Sequence, residues 1–580
     1  MDDEELRRLA RAHHVETGYR DWRGQEAQVS PETLRAVLAS LGADGGTAAA
    51  ERTAREPDRG APAGPLPPPD RAWGFMTQLY SVRSRASCGI GDLRDLADLA
   101  GWSARLGSGF LLVNPLHAGS PVSPIEPSPY LPVSRRYTSP LYLRVSALPE
   151  FDAHPDRWTF LGRLESIDTL DRDRVWKVKD EILRALFALF TPDNSYRAYR
   201  RREGSALTGF ATWCALAELY GADWRGWPSH EPGGARAERV EYHAWLQWRL
   251  DGQLADAQRT ARSAGMPIGI VHDLAVGVHP GGADTWLYPD LFAPGMSVGA
   301  PPDEFNQLGQ DWGQPPPHPL RIADDDHRHY RAMIAAALRH GGGLRLDHVM
   351  QLSRLWWVPE GAPPDQGAYV AYDRRALLRV LCEEAARADA VLIGEDLGTV
   401  EPSVREALSA HGVLGTGLLW FERGRRPGEW RESCLASVGS HDLPPIAGFL
   451  HGDHITLREE LDLLTRPVAE ERAAHEADLA GWFRLLTDEG LLDAGQDEAP
   501  AALLDRVGVP GIVEALHAYL ARTPARLIGV SLADAAGERR TQNQPGTTNE
   551  YPNWRVPLPL SLEEIKTDPG VRAAIAPLTG

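Results

Sequence analysis

Cysteine, lysine and long apolar runs are all scarce in this 580-residue chain, and each scarcity removes a class of protein. Cys88, Cys214, Cys382 and Cys434 are widely scattered with no C-x-x-C pair. Neither a disulfide framework nor a zinc site is indicated, and reduced, mostly buried thiols are expected. No apolar run reaches membrane-spanning length, and the N-terminus MDDEELRRLARAHH is charged, without a signal-peptide core. This predicts a soluble, cytoplasmic protein. The only lysines are Lys177, Lys179 and Lys566, and acids outnumber bases to a formal charge of -19. Nucleic acid and anionic membrane are therefore excluded as main partners, since both need a basic surface. A neutral ligand fits better.

Apolar residues make up 43% of the chain and include 18 tryptophans, ample for a large core. Two helical patterns open the sequence, Glu4 to His14 and Pro31 to Leu41, the second with Ser30 as N-cap and Pro31 at the first helical position. The segment EPDRGAPAGPLPPPDR, Glu56 to Arg71, is too rich in proline and glycine for a regular element and reads as a semi-rigid linker. The chain accordingly divides into a small helical unit at 1–50, a linker at 51–72 and a catalytic unit at 73–580.

Within the last unit, eight short apolar segments alternate with mostly helical ones. The candidate strands begin near Trp73, Gly109, Pro267, Gly343, Ala390, Gly415, Leu435 and Ala525. Candidate helices include Asp92 to Arg105, Tyr242 to Ala264, His327 to His340, Arg374 to Ala388 and Val400 to Ala410. The fold class expected is α/β: a (β/α)8 barrel with large insertions at its C-terminal face, plus the N-terminal helical unit. Insertions are placed at about 117–240, 279–325 and 445–520, because those connections are too long for bare loops.

In a barrel of this kind the active site lies at the C-terminal strand ends. Those ends carry Asp273, Asp347, Glu395, and His441 with Asp442. In GGGLRLDHVMQLSRLWW, Gly341 to Trp357, Arg345 and Asp347 stand two apart in a strand and so point to one side. Burying such charge costs several kcal/mol unless it is paired. A single carboxylate of this kind is often structural, whereas four at equivalent strand ends suit glycosidic chemistry. That chemistry needs one protonated carboxylic acid and one ionised carboxylate across the sugar. The expectation is that Arg345 holds Asp347 ionised while crowding by Asp347 and Asp442 keeps Glu395 protonated.

Arg-x-Asp-His, Gly-Glu-Asp-Leu-Gly and Ser-His-Asp at successive strand ends resemble the α-amylase-like retaining enzymes. More narrowly, the chain resembles the 4-α-glucanotransferases called amylomaltases or disproportionating enzymes, glycoside hydrolase family seventy-seven. The markers are SPYLPVSRRYTSPLYL (Ser128 to Leu143), DLAVGVHPGGADTW (Asp273 to Trp286), GAPPDEFNQLGQDWGQP (Gly299 to Pro315) and NQPGTTNEYPNWR (Asn543 to Arg555). The resemblance implies Asp347 as nucleophile, Glu395 as acid then base, and Asp442 as transition-state stabiliser. It further implies sugar contacts from Tyr130, Asp273, Arg345, His348 and His441, and an acceptor-side loop with Phe305, Gln310 and Trp312. The implied substrates are maltodextrins and other α-1,4-glucans, with no cofactor and no metal. Two departures stand out. Cys88 replaces a tryptophan expected before the GIGD turn, and the front end has no room for the β-sandwich of many relatives.

Other motifs read more plainly. Asp324 to Tyr330, DDDHRHY, suits a helix start better than a metal site, because acids favour the N-terminal dipole and His327 and His329 do not share a helical face. His451 to His454 reads as an exposed turn. Gly341 to Gly343 ends a helix, since no Lys-Ser/Thr follows as a P-loop requires. Trp356 and Trp357 are expected to pack beneath the barrel rim. The rival readings are an α-glucan hydrolase and, further off, a non-catalytic glucan-binding protein; oligomeric state is left open.

Overall fold

The structure, a computed structural model, describes residues 1–20, 24–43, 64–152, 169–230, 233–302, 308–398, 400–422, 424–495 and 498–579. All eight expected strands form: β1 Ala72–Thr77, β2 Phe110–Val113, β3 Gly269–Leu274, β4 Gly343–Leu346, β5 Val391–Gly394, β6 Gly415–Leu418, β7 Cys434–Ser437 and β8 Leu527–Ser531. They pair in parallel in the order β5-β4-β3-β2-β1-β8-β7-β6. A parallel bridge between Ile393 and Leu414 joins β5 to the entry of β6 and closes the ring. The Gly394 N–H donates to the Leu414 carbonyl at 2.7 Å across that seam. Nearly every barrel-strand residue is buried, which is why these segments read as continuous apolar runs. Phe110, Leu112, Val271, Ile393, Leu435 and Leu527 meet in one cluster drawn from five of the strands, a packed barrel interior rather than a channel.

The helices Leu93–Ala104, Ala237–Ser263, Arg328–Leu338, Arg374–Ala388, Pro402–Ala410 and Pro500–Ala521 lie between strands. Asp92 and Asp95 form a capping box at the start of the first. Between β6 and β7 the described residues contain only a 3₁₀ turn at Pro427–Glu429, so the alternation is incomplete there.

One feature was not foreseen. Strands Ala368–Ala371, Arg354–Pro359, Met296–Ala300 and Gln310–Gln314 form a four-stranded antiparallel sheet in that order. It joins the insertion after β3 to residues following β4, and it moves Trp356 and Trp357 away from the place expected for them. Both are fully buried, but in this sheet rather than beneath the barrel rim. Trp357 faces the N-terminal helices, and Trp356 meets Tyr19 edge-on at 4.8 Å.

The N-terminal helices span Asp3–Ala12 and Pro31–Ser40, and Ser30 Oγ accepts the Thr33 N–H at 3.0 Å. A hairpin of Gly18–Arg20 and Glu26–Gln28 lies between them, too short to leave a period in the sequence. The proline-rich segment falls partly outside the described residues, but its end is seated: Leu66 is buried and its N–H donates to the His411 carbonyl at 3.0 Å. Among the described residues no helix is long and apolar enough to cross a membrane.

Candidate active site

The register of the barrel builds the site. Arg345 on β4 lies directly beside Asp273 on β3, and its Nη1 donates to both oxygens of Asp273 at 2.8 Å. The same nitrogen reaches Asp347 Oδ1 at 3.1 Å. Tyr130, from the loop after β2, donates its hydroxyl to Asp273 Oδ2 at 2.8 Å. Asp273 is thus enclosed by partners, while the Asp347 side chain keeps 23% of its surface open.

This corrects the expected division of charge. Arg345 is shared, with its closer contacts on Asp273. Burial pushes the Asp347 carboxyl well up, Arg345 pulls it down, and Asp273, Glu395 and Asp442 add to the rise. Arg345 favours the charged form of Asp347 but shares its guanidinium with Asp273.

Glu395 follows β5. Its Oε1 accepts the Leu397 N–H at 2.8 Å and its Oε2 the His348 N–H at 3.0 Å. Burial raises the Glu395 carboxyl; Arg345 and the two N–H donors oppose that, and Asp442 adds to it. The expected direction holds, with burial rather than crowding as its leading cause. His348 is left-handed at φ 43°, a conformation few non-glycine residues adopt, and this aims its N–H at the acid. Burial lowers the His348 imidazole to about 4, so the ring is neutral at pH 7.

Asp442 is the open member of the set, 52% exposed. His441 Nε2 lies 3.3 Å from its Oδ2, and Asn543 Nδ2 donates to Oδ1 at 3.4 Å. The His441 ring stacks on Tyr130 at 5.0 Å and 14°, and Trp554 tilts against both at 5.6 and 5.4 Å. Burial lowers the His441 pKa and so favours the neutral ring. Flat apolar faces ringed by hydroxyl and amide groups suit a pyranose.

On the other side Trp312 packs edge-on to His348 at 5.3 Å, and its Nε1 donates to Gln310 Oε1 at 3.2 Å. Phe305 lies outside the described residues. Cys88 is a core residue, 3% exposed. In DDDHRHY, Asp325 accepts the His329 N–H at 2.7 Å, and His329 packs on Tyr288. His451 is an exposed turn residue as expected, whereas His454 stacks on Phe449 at 5.3 Å.

Sequence reasoning assigned no role to Trp554, Asn543, Gln314 or Asp534. The first two lie in NQPGTTNEYPNWR, whose tryptophan and amides in an irregular stretch were the available signal. Gln314 Nε2 donates to the Tyr130 carbonyl at 2.9 Å. Asp534, just after β8, lines the same pocket as Asp273, Arg345 and Glu395 and accepts the Ile446 N–H at 2.7 Å.

A family model described as 4-alpha-glucanotransferase, glycoside hydrolase family 77, matches residues 77–562. The chain belongs to this family. It is 52% identical over 545 residues to the 4-alpha-glucanotransferase of Mycobacterium tuberculosis, covering 86% of this chain and 73% of that protein. With the Haemophilus influenzae 4-alpha-glucanotransferase the identity is 32%, covering 86% and 78%. The crystal structure of the Corynebacterium glutamicum amylomaltase superposes with a TM-score of 0.89 at 34% identity, over 100% of both chains. The Streptococcus agalactiae amylomaltase, solved with acarbose, shares the fold with a TM-score of 0.70 at 17% identity, over 87% and 98%. Membership in this family gives the chain 4-α-glucanotransferase activity: it is an enzyme that transfers glucan segments.

Proposed function

We propose that this family member moves α-1,4-glucan segments from a maltodextrin to the 4-hydroxyl of another glucan or glucose by a retaining double displacement. Asp347 attacks C1 of the donor sugar as Glu395 protonates the departing glycosidic oxygen, leaving a glucosyl–Asp347 ester. Glu395 then takes the proton of the acceptor 4-hydroxyl as that oxygen attacks C1 and frees Asp347. Two inversions retain the α-configuration. Asp442 steadies the oxocarbenium-like charge that develops in the transition state of each step. Tyr130, Asp273, Arg345, His348 and His441 hold the donor, and Phe305, Gln310 and Trp312 serve the acceptor side.

The observation that carries this reading is the set of four carboxylates around one guanidinium. Burial and neighbouring carboxylates raise both Asp347 and Glu395, which favours one proton held within that pair. We assign that proton to Glu395, whose carboxyl burial raises and which must protonate the departing oxygen, leaving Asp347 to attack. We assign the catalytic work to residues 73–580, with residues 1–50 as an appended unit. We place the enzyme in the cytoplasm, in keeping with four free, buried cysteines.

Incubation with maltotriose tests the reading, with glucose and longer dextrins as the expected products. Glucose and maltose without longer products would favour the hydrolase. Asp347→Asn should lower turnover by at least about 10³-fold while dextrin binding persists. Turnover near the wild-type rate would remove Asp347 as nucleophile.

A further inference from the structure

The described residues of the N-terminal unit dock on the four-stranded sheet, outside the barrel strands that carry the three catalytic carboxylates. Its helices join Leu34, Val37 and Leu38 into one buried cluster with Val298, Leu355 and Trp357 of that sheet. The attachment is also made through main chain. The Glu16 N–H donates to the Tyr369 carbonyl at 2.9 Å, and the Ala371 N–H to the His14 carbonyl at 3.0 Å. Glu16 pairs with Arg354 at 2.8 Å, and Thr33 Oγ1 donates to the Gln366 carbonyl at 3.0 Å.

The edge of that sheet far from His14 and Glu16 is the strand Gln310–Gln314. Trp312 packs against the same buried cluster as the N-terminal helices. Its ring then meets His348, whose N–H holds Glu395. Two residues on, Gln314 holds the Tyr130 carbonyl. Asp311 is tied back to the neighbouring strand by the Ser297 hydroxyl, which donates to its Oδ1. One strand thus bears on a substrate-facing aromatic from each side of the site. Close-packed side chains transmit small displacements, so its position depends on what covers the sheet.

We propose that the N-terminal unit is a brace for the strand Gln310–Gln314, and that its packing on the sheet decides how often the glucosyl-enzyme is taken by a sugar rather than by water. This rests on the reading of Trp312 as an acceptor-side residue. The chemistry makes the partition separable. Formation of the glucosyl–Asp347 ester is common to both outcomes, and only the second half differs. There the oxygen attacking C1 belongs either to a 4-hydroxyl or to water, and Glu395 takes the proton in either case. A displaced Trp312 loosens the hold on the acceptor-side sugar, and a lower acceptor occupancy leaves more of the ester to water. Transfer conserves the number of reducing ends, whereas each hydrolysis adds one.

Leu38→Ala leaves a cavity at the helix–sheet interface, and Leu38→Met keeps the volume. With full-length enzyme and maltotriose, Leu38→Ala should raise the rate of new reducing ends relative to transfer by about three-fold or more, and the acceptor KM likewise. The rate of donor cleavage at saturating acceptor should stay within about two-fold, and Leu38→Met should restore the partition. A folded Leu38→Ala enzyme with a lower Tm and an unchanged partition would reduce the unit to a stabilising role and overturn the proposal. If Leu38→Ala does not fold, Val37→Ala makes the same test with a smaller cavity.

Trp312→Ala separates the two readings. A shifted partition in Trp312→Ala but not in the helix variants overturns the brace alone. A shift in neither overturns the acceptor-side reading, and the brace with it. A shift in the helix variants but not in Trp312→Ala overturns the route through Trp312.

Discussion

The backbone N–H of His348 donates to Glu395 Oε2 at 3.0 Å, and the left-handed φ of 43° at His348 makes that direction possible. The residue after the proposed nucleophile thus orients the proposed acid, linking β4 to β5. Ring and backbone can be separated by substitution. His348→Gly removes the ring but tolerates φ 43°. It should lower kcat/KM by about 10-fold and leave the alkaline limb of the pH profile where it is. His348→Val opposes the left-handed backbone as well and should lower kcat/KM by on the order of 10²-fold through misplacement of the acid. Equal losses in the two variants would mean that the backbone conformation has no catalytic consequence.

The raised Glu395 carboxyl has a kinetic signature. A general acid works only while protonated, so a pKa raised by burial carries activity to higher pH than an ordinary carboxyl near 4.5 allows. The alkaline limb of kcat/KM for maltotriose should lie above that value. Asp442→Asn removes one charge that raises Glu395, so the limb should move toward lower pH in the residual activity. A limb displaced upward would contradict the assignment of the acid.

Strand positions and the rim carboxylates were legible because a buried parallel strand is an apolar run and charge at its end interrupts that run. What was not legible is which strands lie side by side. Arg345 and Asp347 were paired from their spacing of two, yet β3–β4 register sets Asp273 opposite Arg345 and gives it the closer contacts. No local pattern encodes a register between residues 72 positions apart. The antiparallel sheet escaped for the same reason: Trp356 pairs with Gly299, and nothing in LWWV states its partner.

Tyr130 combines two functions that a single atom separates. Its ring stacks on His441, and its hydroxyl satisfies Asp273. Tyr130→Phe keeps the stack but leaves a buried carboxylate oxygen short of a donor, a loss of about 1–3 kcal/mol. We expect a fall of about 10-fold in kcat/KM and a Tm lowered measurably at neutral pH. Wild-type kinetics in Tyr130→Phe would reduce the residue to a stacking platform.

Asp534 makes a prediction about stability rather than rate. Burial pushes its carboxyl up to about 7 from an ordinary value of 3.8, against the Ile446 N–H and Ser531 hydroxyl that favour the charged form. An acid raised in the folded state remains protonated there while the unfolded chain ionises. Folding stability therefore falls as pH rises from about 4 to about 7, by as much as about 4 kcal/mol in total, and levels off above. Asp534→Asn retains an oxygen to accept the Ile446 N–H and cannot ionise, so it should flatten that part of the curve. Thermal unfolding of both proteins between pH 4 and pH 8 checks this. The Tm of the variant should exceed that of the wild type at pH 8 and approach it at pH 4. Parallel curves would mean that Asp534 is ionised in the folded enzyme throughout, with its charge satisfied by the Ile446 N–H.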